Sequence, residues 1–541
     1  MKKWSSLILA MLMTAFTLSG CAADSSANSS ADTDSTDTED GVIEIQLSDS
    51  GVTVDGETTS GDKTAAVYTA NDIVFYLEDQ GFTYGEGTAA DEHSQAEADA
   101  HTVVHITKSG TYSISGILSA GQIAVDLGED AEDDPEAVVT LILNGVDVTC
   151  TVAPAVIFYN VYECGSADEE TAVKDVDTSA AGANVIIADG TTNNITGSYV
   201  ARIYKPDSVE LSEDGTKVED AKKLHKYDGA FYSKMSMNVD GGEQGTGVLN
   251  IDAENEGLDS ELHLTINGGC IRITSGNDGI NTNEDGVSVT TINGGTLTID
   301  VDGATGEGDG IDSNGWLVIN GGTIVSAACG DSMDAGIDSD MGIYLNGGTV
   351  VASGNMMDRI EGGDQNYAVF SFAEQQTGGT AYTLKDANGQ AVGEWTPAND
   401  YTYLAVSGPD LTAGIYTLWQ GETQMACSTA SDDMGGRGMG GGMPMDGTTP
   451  PDGQNPPENF ERPEGMERPE GESGQRPQHN EDGTVTLPDG TTVDPSQMTP
   501  PDGKDRLGKF TEEQGDPGER TTEFLIADGG SYFSRITGAD I

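Results

Sequence analysis

The segment Ile266–Ile273 reads INGGCIRI, and the chain returns to this pattern three more times. The later copies are INGGTLTI at Ile292–Ile299, INGGTIVS at Ile319–Ser326 and LNGGTVVA at Leu345–Ala352. Their asparagines stand at positions 267, 293, 320 and 346, so the spacings are 26, 27 and 26 residues. A fixed period of this length is the sequence signature of a repeat architecture in which each unit stacks on the next.

Each unit contains a short apolar strand, a Gly-Gly corner and a second strand of alternating pattern. The paired glycines permit positive backbone dihedrals at a tight corner. At roughly 3.3 Å per residue, such a unit is long enough for a closed coil of three short strands. Stacked coils, about 4.8 Å apart, form a parallel β-helix, so we predict an all-β solenoid. A leucine-rich horseshoe is disfavoured because its LxxLxL signature and helical segments are missing.

The strand texture and the composition divide the chain into six predicted segments. They are a signal peptide with its cleavage motif at 1–21, a disordered tether at 22–40, the parallel β-helix at 41–364, last coils or a β-rich cap at 365–431, a disordered insertion rich in Met, Gly and Pro at 432–520, and a final strand segment at 521–541. Regular coils are expected from about Thr102, and residues 201–226 are expected to form a loop that leaves one coil. The insertion cannot bury enough apolar surface to fold.

The N-terminus has the order of a secretory signal. Lys2 and Lys3 precede an apolar run at Leu7–Leu18, which is too short to span a bilayer. The next residues, LSGC at Leu18–Cys21, resemble the lipobox of bacterial lipoproteins. This resemblance implies cleavage before Cys21, lipidation of its thiol and anchoring to the outer face of the bacterial cytoplasmic membrane.

Charge and cysteine content exclude several classes of function. With 92 acidic and 24 basic residues, the formal net charge of −68 repels nucleic acid, and it favours cations or neutral, hydroxyl-rich ligands. The cysteines other than Cys21 are scattered, and only Cys150 and Cys164 are close enough in sequence for us to consider a disulfide. The six histidines show no zinc-ligand spacing, and we expect a monomer.

A second motif recurs between the Gly-Gly corners. It reads EGLDSE at Glu256–Glu261, DGINTN at Asp278–Asn283, GDGIDSN at Gly308–Asn314 and AGIDSD at Ala335–Asp340. If the aliphatic residue of each copy (Leu258, Ile280, Ile311, Ile337) points inward, its neighbours point outward and stack into polar ladders. Unit charges about 4.8 Å apart repel by roughly 3 to 4 kcal/mol at an effective dielectric constant near 20, so these ladders call for counter-cations.

The oxygen-rich ladders predict Ca²⁺ sites, since Ca²⁺ binds six to eight oxygen ligands. The predicted ligands are Asp312, Asn314, Asp338 and Asp340 in one cluster, Asp278, Asn281, Asp309 and Asp312 in a second, and Asp259 on the same ladder. The alternative is that these are ordinary turn residues whose side chains bond their own backbone and whose charge is screened by solvent.

Several motifs of the chain resemble those of a known protein family. DGAFYSK at Asp228–Lys234, followed by the INGG and DGI units behind a lipobox, is similar to bacterial carbohydrate-binding domain-containing proteins. The resemblance implies a right-handed parallel β-helix like that of pectate lyases, bound Ca²⁺ and binding of an acidic or cellulosic plant polysaccharide at the cell surface. The DGI aspartates of the family correspond to Asp278 and Asp309, whereas the other two coils carry Asp334 and Glu256 instead.

Three functional interpretations follow. The first is a non-catalytic, calcium-dependent polysaccharide binder, in which Tyr232, Lys234 and Tyr344 contact the sugar chain. The second is a lyase that acts on uronate polymers by β-elimination, with Lys234 as the candidate base; no other catalytic residue is assigned. The third is a calcium-stiffened spacer or adhesin without a sugar site.

Overall fold

The computed structural model describes residues 41–428 and 520–539, together with the pairs 478–479, 485–486 and 492–493. Almost all regular structure in these residues is β-strand. One helix, Gln95–Ala98, and two 3₁₀ turns, Glu129–Asp133 and Pro206–Ser208, are the exceptions. No helix in the described part of the chain is long and apolar enough to cross a membrane. The prediction of an all-β protein with a long parallel sheet is therefore confirmed.

The strands occur throughout the described residues. In chain order they are Ile43–Leu47, Thr53–Val54, Glu57–Thr58, Val67–Ala70, Thr102–Ile106, Gly110–Leu118, Gly121–Asp126, Val139–Thr149, Val156–Asn160, Ala183–Ile187, Thr192–Gly197, Val200–Tyr204, Glu210–Leu211, Val218–Asp220, Lys223–Tyr227, Gly229–Ser233, Met237–Asp240, Val248–Ala253, Glu256–Ser260, His263–Ile266, Cys270–Ser275, Ile280–Thr282, Val289–Ile292, Thr296–Val301, Trp316–Ile319, Thr323–Ala327, Gly342–Leu345, Thr349–Gly354, Ile360–Gly362, Tyr367–Gln376, Tyr382–Asp386, Ala391–Trp395, Tyr401–Ser407, Gly414–Gln420, Thr423–Ser428, Gln478–His479, Val485–Thr486, Thr492–Val493, Arg520–Thr521, Phe524–Ile526 and Ser531–Gly538.

Parallel pairing follows the sequence period. Ile266 pairs with Ile292, Ile292 with Ile319 and Ile319 with Leu345, at steps of 26, 27 and 26 residues. The strands just after each Gly-Gly corner pair in the same way, from Cys270–Ser275 through Thr349–Gly354. Each coil therefore hydrogen-bonds to the next, as the repeated INGG unit predicts.

A third set of strands carries the acidic motif, and we call it the first face. It is a seven-stranded sheet built from Val67–Ala70, Thr102–Ile106, Gly121–Asp126, Val156–Asn160, Gly229–Ser233, Glu256–Ser260 and Ile280–Thr282. All its pairs are parallel except the one between the first two strands. Beyond the last strand, the coils at Ile311 and Ile337 continue the face through backbone hydrogen bonds outside the named strands.

The interior of the coils is aliphatic. The four motif residues predicted to point inward, Leu258, Ile280, Ile311 and Ile337, are fully buried in the main hydrophobic cluster. Burial of a side chain of this type contributes roughly 1.5 to 3 kcal/mol relative to leaving it exposed. The stacked aliphatic residues therefore set the register that places the polar motif positions on the outside.

The second glycine of each INGG unit has the backbone conformation that the sequence implied. Gly295 and Gly322 both have φ of +88°, where an L side chain is strained. A Cβ atom at Gly322 would also lie 3.0 Å from the carbonyl carbon of Gly294 in the preceding coil. The corner glycines thus allow adjacent coils to approach closely.

Two excursions interrupt the early coils. Residues 71–101 leave the first face between its first two strands, and an antiparallel hairpin of Val200–Tyr204 and Lys223–Tyr227 follows the coil at residues 192–197. The two contact each other, because the backbone N–H of Tyr204 donates to the carbonyl oxygen of Tyr84 at 2.8 Å. Residues 201–226, which the sequence predicts as a loop, are therefore mainly a paired hairpin.

The last coil leads into antiparallel strands with a hydrophobic core of their own. Tyr401–Ser407 pairs antiparallel with both Thr349–Gly354 and Tyr367–Gln376. The final strand, Ser531–Gly538, returns to pair with Tyr367–Gln376 and with Thr423–Ser428. In the separate unit at residues 435–517, the three described two-residue strands form a small antiparallel sheet.

Several sequence-based expectations lie outside the described residues. These are the signal peptide and lipidation site at Cys21, the tether at 22–40 and most of the insertion at 432–520. Within the described residues, Cys150 and Cys164 are both free thiols, so the disulfide considered between them is not formed.

Candidate cation and carbohydrate site

A single row of side chains runs across the outside of the first face. In register order the row contains Tyr68, His105, Ala124, Ile157, Tyr232, Asp259, Asn281, Asp312 and Asp338. The row is aromatic or aliphatic at the start of the solenoid and acidic at the end. The chemical character of the first face therefore changes along the axis of the coils.

Three carboxylates converge at the acidic end of this row. Carboxylate oxygens of Asp309, Asp312 and Asp338 lie within 4.8 Å of one another, and all three residues are partly exposed. Asp312 and Asp338 stand at the same position in successive coils, and Asp309 comes from the corner that precedes Asp312. The structure thus combines members of the two predicted clusters into one triad, which we call the acidic triad.

The corner aspartates also hold neighbouring coils together. Asp278 accepts a hydrogen bond from the backbone N–H of Asp309 at 2.7 Å, and Asp309 accepts one from that of Ala335 at 2.5 Å. Asp334 accepts from the backbone N–H of Gly308 at 2.7 Å. These bonds run between coils and not to the aspartates' own backbone, and each uses one carboxylate oxygen, which leaves the other oxygen of Asp309 available to a ligand.

Electrostatic repulsion among these acids is large. Burial, followed by the charge of Asp340, raises the pKa of Asp312 to about 7. Burial, followed by the charges of Asp312 and Asp358, raises the pKa of Asp338 to about 7. The pKa of Asp309 is raised in the same direction by burial and by Asp278. A bound cation would lower these pKa values, because it stabilises the charged form of each carboxylate.

The donor set of the acidic triad suits a hard cation. All three ligands are carboxylates, which favour Ca²⁺ over softer transition metals, and their partial exposure leaves room for water or a ligand oxygen. Among the described residues, no other group of three His, Cys, Asp or Glu side chains brings its ligand atoms within 4.8 Å of one another. The residues present therefore fit a divalent cation.

The other predicted ligands of the last coils have different surroundings. The Asn314 amide donates to the carbonyl oxygen of Asn283 at 3.0 Å and to the Asp285 carboxylate at 2.9 Å. Asp340 is exposed at the rim, and burial and Asp285 raise its pKa. These two residues border the acidic triad without belonging to it.

The early end of the acidic row is covered rather than open. Lys226, on the hairpin, ion-pairs with Asp228 at 2.9 Å, and Lys223 pairs with Glu261 at 3.0 Å. Beneath them Asp259 is fully buried, and Asn281 is 7% exposed. Burial raises the pKa values of Asp228, Glu256 and Asp259 above the usual range.

Tyr232 requires a correction. The sequence places it on an exterior ladder as a sugar-stacking residue, but its ring is 1% exposed. The ring packs against Tyr227 of the hairpin at 5.1 Å, and its hydroxyl donates to Glu261 at 2.5 Å. Tyr232 does lie on the outer side of its strand, as predicted. The hairpin folds back over this position, however, so the ring has no free face for a sugar.

Lys234 and Tyr344 are both engaged with other residues. The Lys234 ammonium forms an ion pair with Glu132 and lies 3.4 Å from the Asn160 side-chain oxygen. It stands three coils from Asp312, roughly 14 Å at the usual strand spacing. Tyr344 belongs to a different face, where the Lys174 ammonium lies 5.1 Å from its ring centroid. The structure therefore brings neither residue to the acidic triad.

Asp358 and Asp285 are acidic neighbours that the sequence did not single out. The charge of Asp358 raises the pKa values of Asp312 and Asp338, and the charge of Asp285 raises that of Asp312. Both residues lie in irregular turns outside the DGI pattern. No repeat signal marks them, and only the stacking of the coils brings them close.

The stacked coils form a β-helix-like fold, and the acidic triad on its first face could hold a metal ion. The family model for carbohydrate-binding domain-containing proteins matches residues 100–381, more than half of the chain, and this protein belongs to that family. No curated protein matches the sequence. Among solved structures, the chain is similar to a gadolinium derivative of the polysaccharide lyase-like protein from C. thermocellum. The two share 20% identity and a TM-score of 0.30, over 56% of this chain and 91% of that one.

Proposed function

We propose that this protein is a non-catalytic, calcium-dependent binder of acidic or cellulosic plant polysaccharides, and that the acidic triad is its cation site. The observation that carries the proposal is the convergence of Asp309, Asp312 and Asp338 within 4.8 Å on a partly exposed surface. A Ca²⁺ ion held there keeps coordination positions for oxygens from outside the protein, such as a uronate carboxylate or sugar hydroxyls. Membership of a carbohydrate-binding family supports the same ligand class.

The surroundings of the triad support contact with a sugar chain. Met333, Met341 and Met356 are 71%, 47% and 37% exposed. They lie within two residues of acids outside the triad, which are Asp334, Asp340 and Asp358. Flexible thioether side chains adapt to irregular apolar surfaces, and the C–H faces of sugar rings are such surfaces. These methionines replace Tyr232 in the proposed sugar-contacting set.

The experiment is retention of the purified protein on cellulose, pectin, polygalacturonate and neutral glucans, with calcium or with chelator. Calcium-dependent retention that is lost in Asp338→Asn supports the proposal, and equal retention by that variant contradicts it. Asp252→Asn is the matched control, because Asp252 is an exposed acid on another face. A chelator-dependent loss of stability without any retention would favour the calcium-stiffened spacer instead.

The lyase alternative has a separate readout. If β-elimination occurred, incubation with polygalacturonate would produce absorbance from unsaturated uronate. The ion pair of Lys234 with Glu132 and its distance from the acidic triad do not favour it as the base. Absorbance that disappears in Lys234→Ala would nevertheless establish the lyase.

Further parts of the proposal concern handedness and location. We propose that the coils wind as a right-handed parallel β-helix and that Cys21 carries a lipid that anchors the protein to the outer face of the bacterial cytoplasmic membrane. Electron density from a crystal would establish the handedness. Detergent partitioning of the expressed full-length protein, compared with Cys21→Ser, would test the anchor.

A further inference from the structure

Three buried side chains beneath the hairpin each have an oxygen without a hydrogen-bond partner. They are the Oε2 atom of Glu256, the Oδ2 atom of Asp259 and the Oδ1 atom of Asn281. These residues are only 6%, 0% and 7% exposed. A buried polar atom without a partner is destabilising, and a charged one more so. Three such oxygens at adjacent positions therefore need an explanation.

The other atoms of these side chains are satisfied, which fixes their orientation. The Asn281 amide nitrogen donates to Glu256 Oε1 at 3.2 Å, so the Asn281 oxygen faces away from that carboxylate oxygen. Asp259 Oδ1 accepts from the Asn283 amide at 2.7 Å. With both carboxylates ionised, the three remaining oxygens are all acceptors, so they cannot satisfy one another.

The same three coil positions form the acidic triad further along the solenoid. Glu256 and Asp309 both stand two residues before an inward aliphatic residue, and Asp259 and Asp312 both stand one residue after it. Asn281 follows Asp259 in the next coil by strand register, as Asp338 follows Asp312. The buried set is thus the register equivalent of the acidic triad, with one carboxylate replaced by an amide.

Positive charge in this region is scarce. Asp228, Glu256 and Asp259 are three buried carboxylates, and only Lys226 forms an ion pair with one of them, at 2.9 Å from Asp228. Lys223 pairs with Glu261 instead, and in the described part of the chain neither Glu256 nor Asp259 has an ion pair. An uncompensated buried charge is strongly destabilising.

We infer that Glu256, Asp259 and Asn281 bind a second divalent cation, of the Ca²⁺ class, in a site closed by the hairpin at residues 200–227. The all-oxygen donor set disfavours zinc and copper. The ion fastens the hairpin to the first face, because it neutralises the acids that Lys226 only partly balances. It is separate from the acidic triad and does not depend on sugar binding.

The test uses the full-length protein, which is stripped of metal by a chelator and then reloaded with Ca²⁺. Bound Ca²⁺ is counted by inductively coupled plasma mass spectrometry in three proteins. They are the wild type, the double variant Glu256→Gln with Asp259→Asn, and the single variant Asp338→Asn. Both variants keep side-chain shape. We expect each to lose a different ion, so that combining them loses both. An unchanged count in Glu256→Gln with Asp259→Asn would overturn the inference, because it would mean that the buried oxygens hold no ion.

Two further measurements do not depend on the folding of the ligand variants. Terbium added to the stripped protein should emit on tyrosine excitation, and Tyr232→Phe should lower this emission more than Tyr344→Phe, since Tyr232 pairs in register with Asp259. Trypsin should cut after Lys226 only when the metal is absent. Emission unaffected by Tyr232→Phe, or protection of Lys226 without metal, would contradict the buried site. Glycan retention, measured in parallel, reports on the acidic triad alone.

Discussion

The carboxylates of Asp312 and Asp338 occupy the same position in successive coils, and their oxygens lie within 4.8 Å of each other. Two like charges this close, both partly buried, repel strongly unless a cation or a proton lies between them. Asp309 approaches the same point from a corner. The strand spacing that stacks the coils is thus also what assembles the acidic triad.

Replacement of one ligand should weaken calcium binding without disturbing the fold. We expect Asp338→Asn to lower the Ca²⁺ affinity of the acidic triad by about tenfold or more, because it removes one of three charged ligands. Isothermal titration of the stripped protein measures this, with Asp252→Asn as the control. Equal affinity in Asp338→Asn and the control would place the ion elsewhere.

Metal-free protein should lose stability as pH rises. The pKa values of Asp312 and Asp338 are about 7 in the folded chain, against 3.8 for an unperturbed aspartate, so between these values the folded state binds more protons than the unfolded state. Stability then falls with rising pH, by on the order of 4 kcal/mol for one such group. Urea unfolding of stripped protein from pH 5 to pH 8 measures the slope.

Calcium and amide substitution provide the controls for that slope. Saturating Ca²⁺ should flatten it, because the carboxylates then stay ionised in the folded state. Asp312→Asn with Asp338→Asn should reduce it without calcium, and the other buried acids account for the remainder. An unchanged slope in this double variant would assign the whole effect to other acids.

His263 should cause loss of stability in acid. Burial lowers its pKa to about 4, and its Nδ1 atom accepts a hydrogen bond from the backbone N–H of Val289 at 3.2 Å. The unfolded chain takes up the proton near pH 6.5, so the contribution is full above that pH and is lost as pH falls toward 4. The loss is about 3 kcal/mol.

The variant His263→Asn isolates this contribution. The Asn oxygen can accept from the same N–H but does not titrate. We expect its stability relative to the wild type to improve steadily from pH 7 to pH 4, as measured by urea unfolding in saturating calcium. A constant difference between the two proteins across this range would contradict the assignment.

The exposed asparagines of the INGG units form a ladder of hydrogen bonds. Each should stabilise the fold according to the number of these bonds that it makes. Each amide donates to the one in the preceding coil, at 2.9 Å from Asn293 to Asn267, 2.9 Å from Asn320 to Asn293 and 2.8 Å from Asn346 to Asn320. Asn320→Ala removes two of these bonds, whereas Asn346→Ala removes one. At about 1 kcal/mol for each bond, thermal unfolding should show the larger loss for Asn320→Ala. Equal losses would mean that the ladder does not stabilise the coils.

The sequence correctly predicted which residues point into the coils. It predicted only in part which outward-facing residues are accessible to ligands. Leu258, Ile280, Ile311 and Ile337 are buried as their spacing implies. Tyr232 has the predicted parity on its strand, yet it lies under the hairpin, where the alternating pattern gives no warning. The acidic triad draws on both predicted clusters, and Asp358 joins its surroundings from a turn without a motif.

The sequence by itself determined the coil, because every unit must repeat its aliphatic positions and corner glycines if neighbouring strands are to stay in register. That requirement is local and periodic, so it is visible in the spacing of Asn267, Asn293, Asn320 and Asn346. Only the tertiary structure decided which exterior positions stay open. The hairpin that covers Asp259 and Tyr232 lies outside the repeated units, and its contacts depend on packing that leaves no period in the sequence.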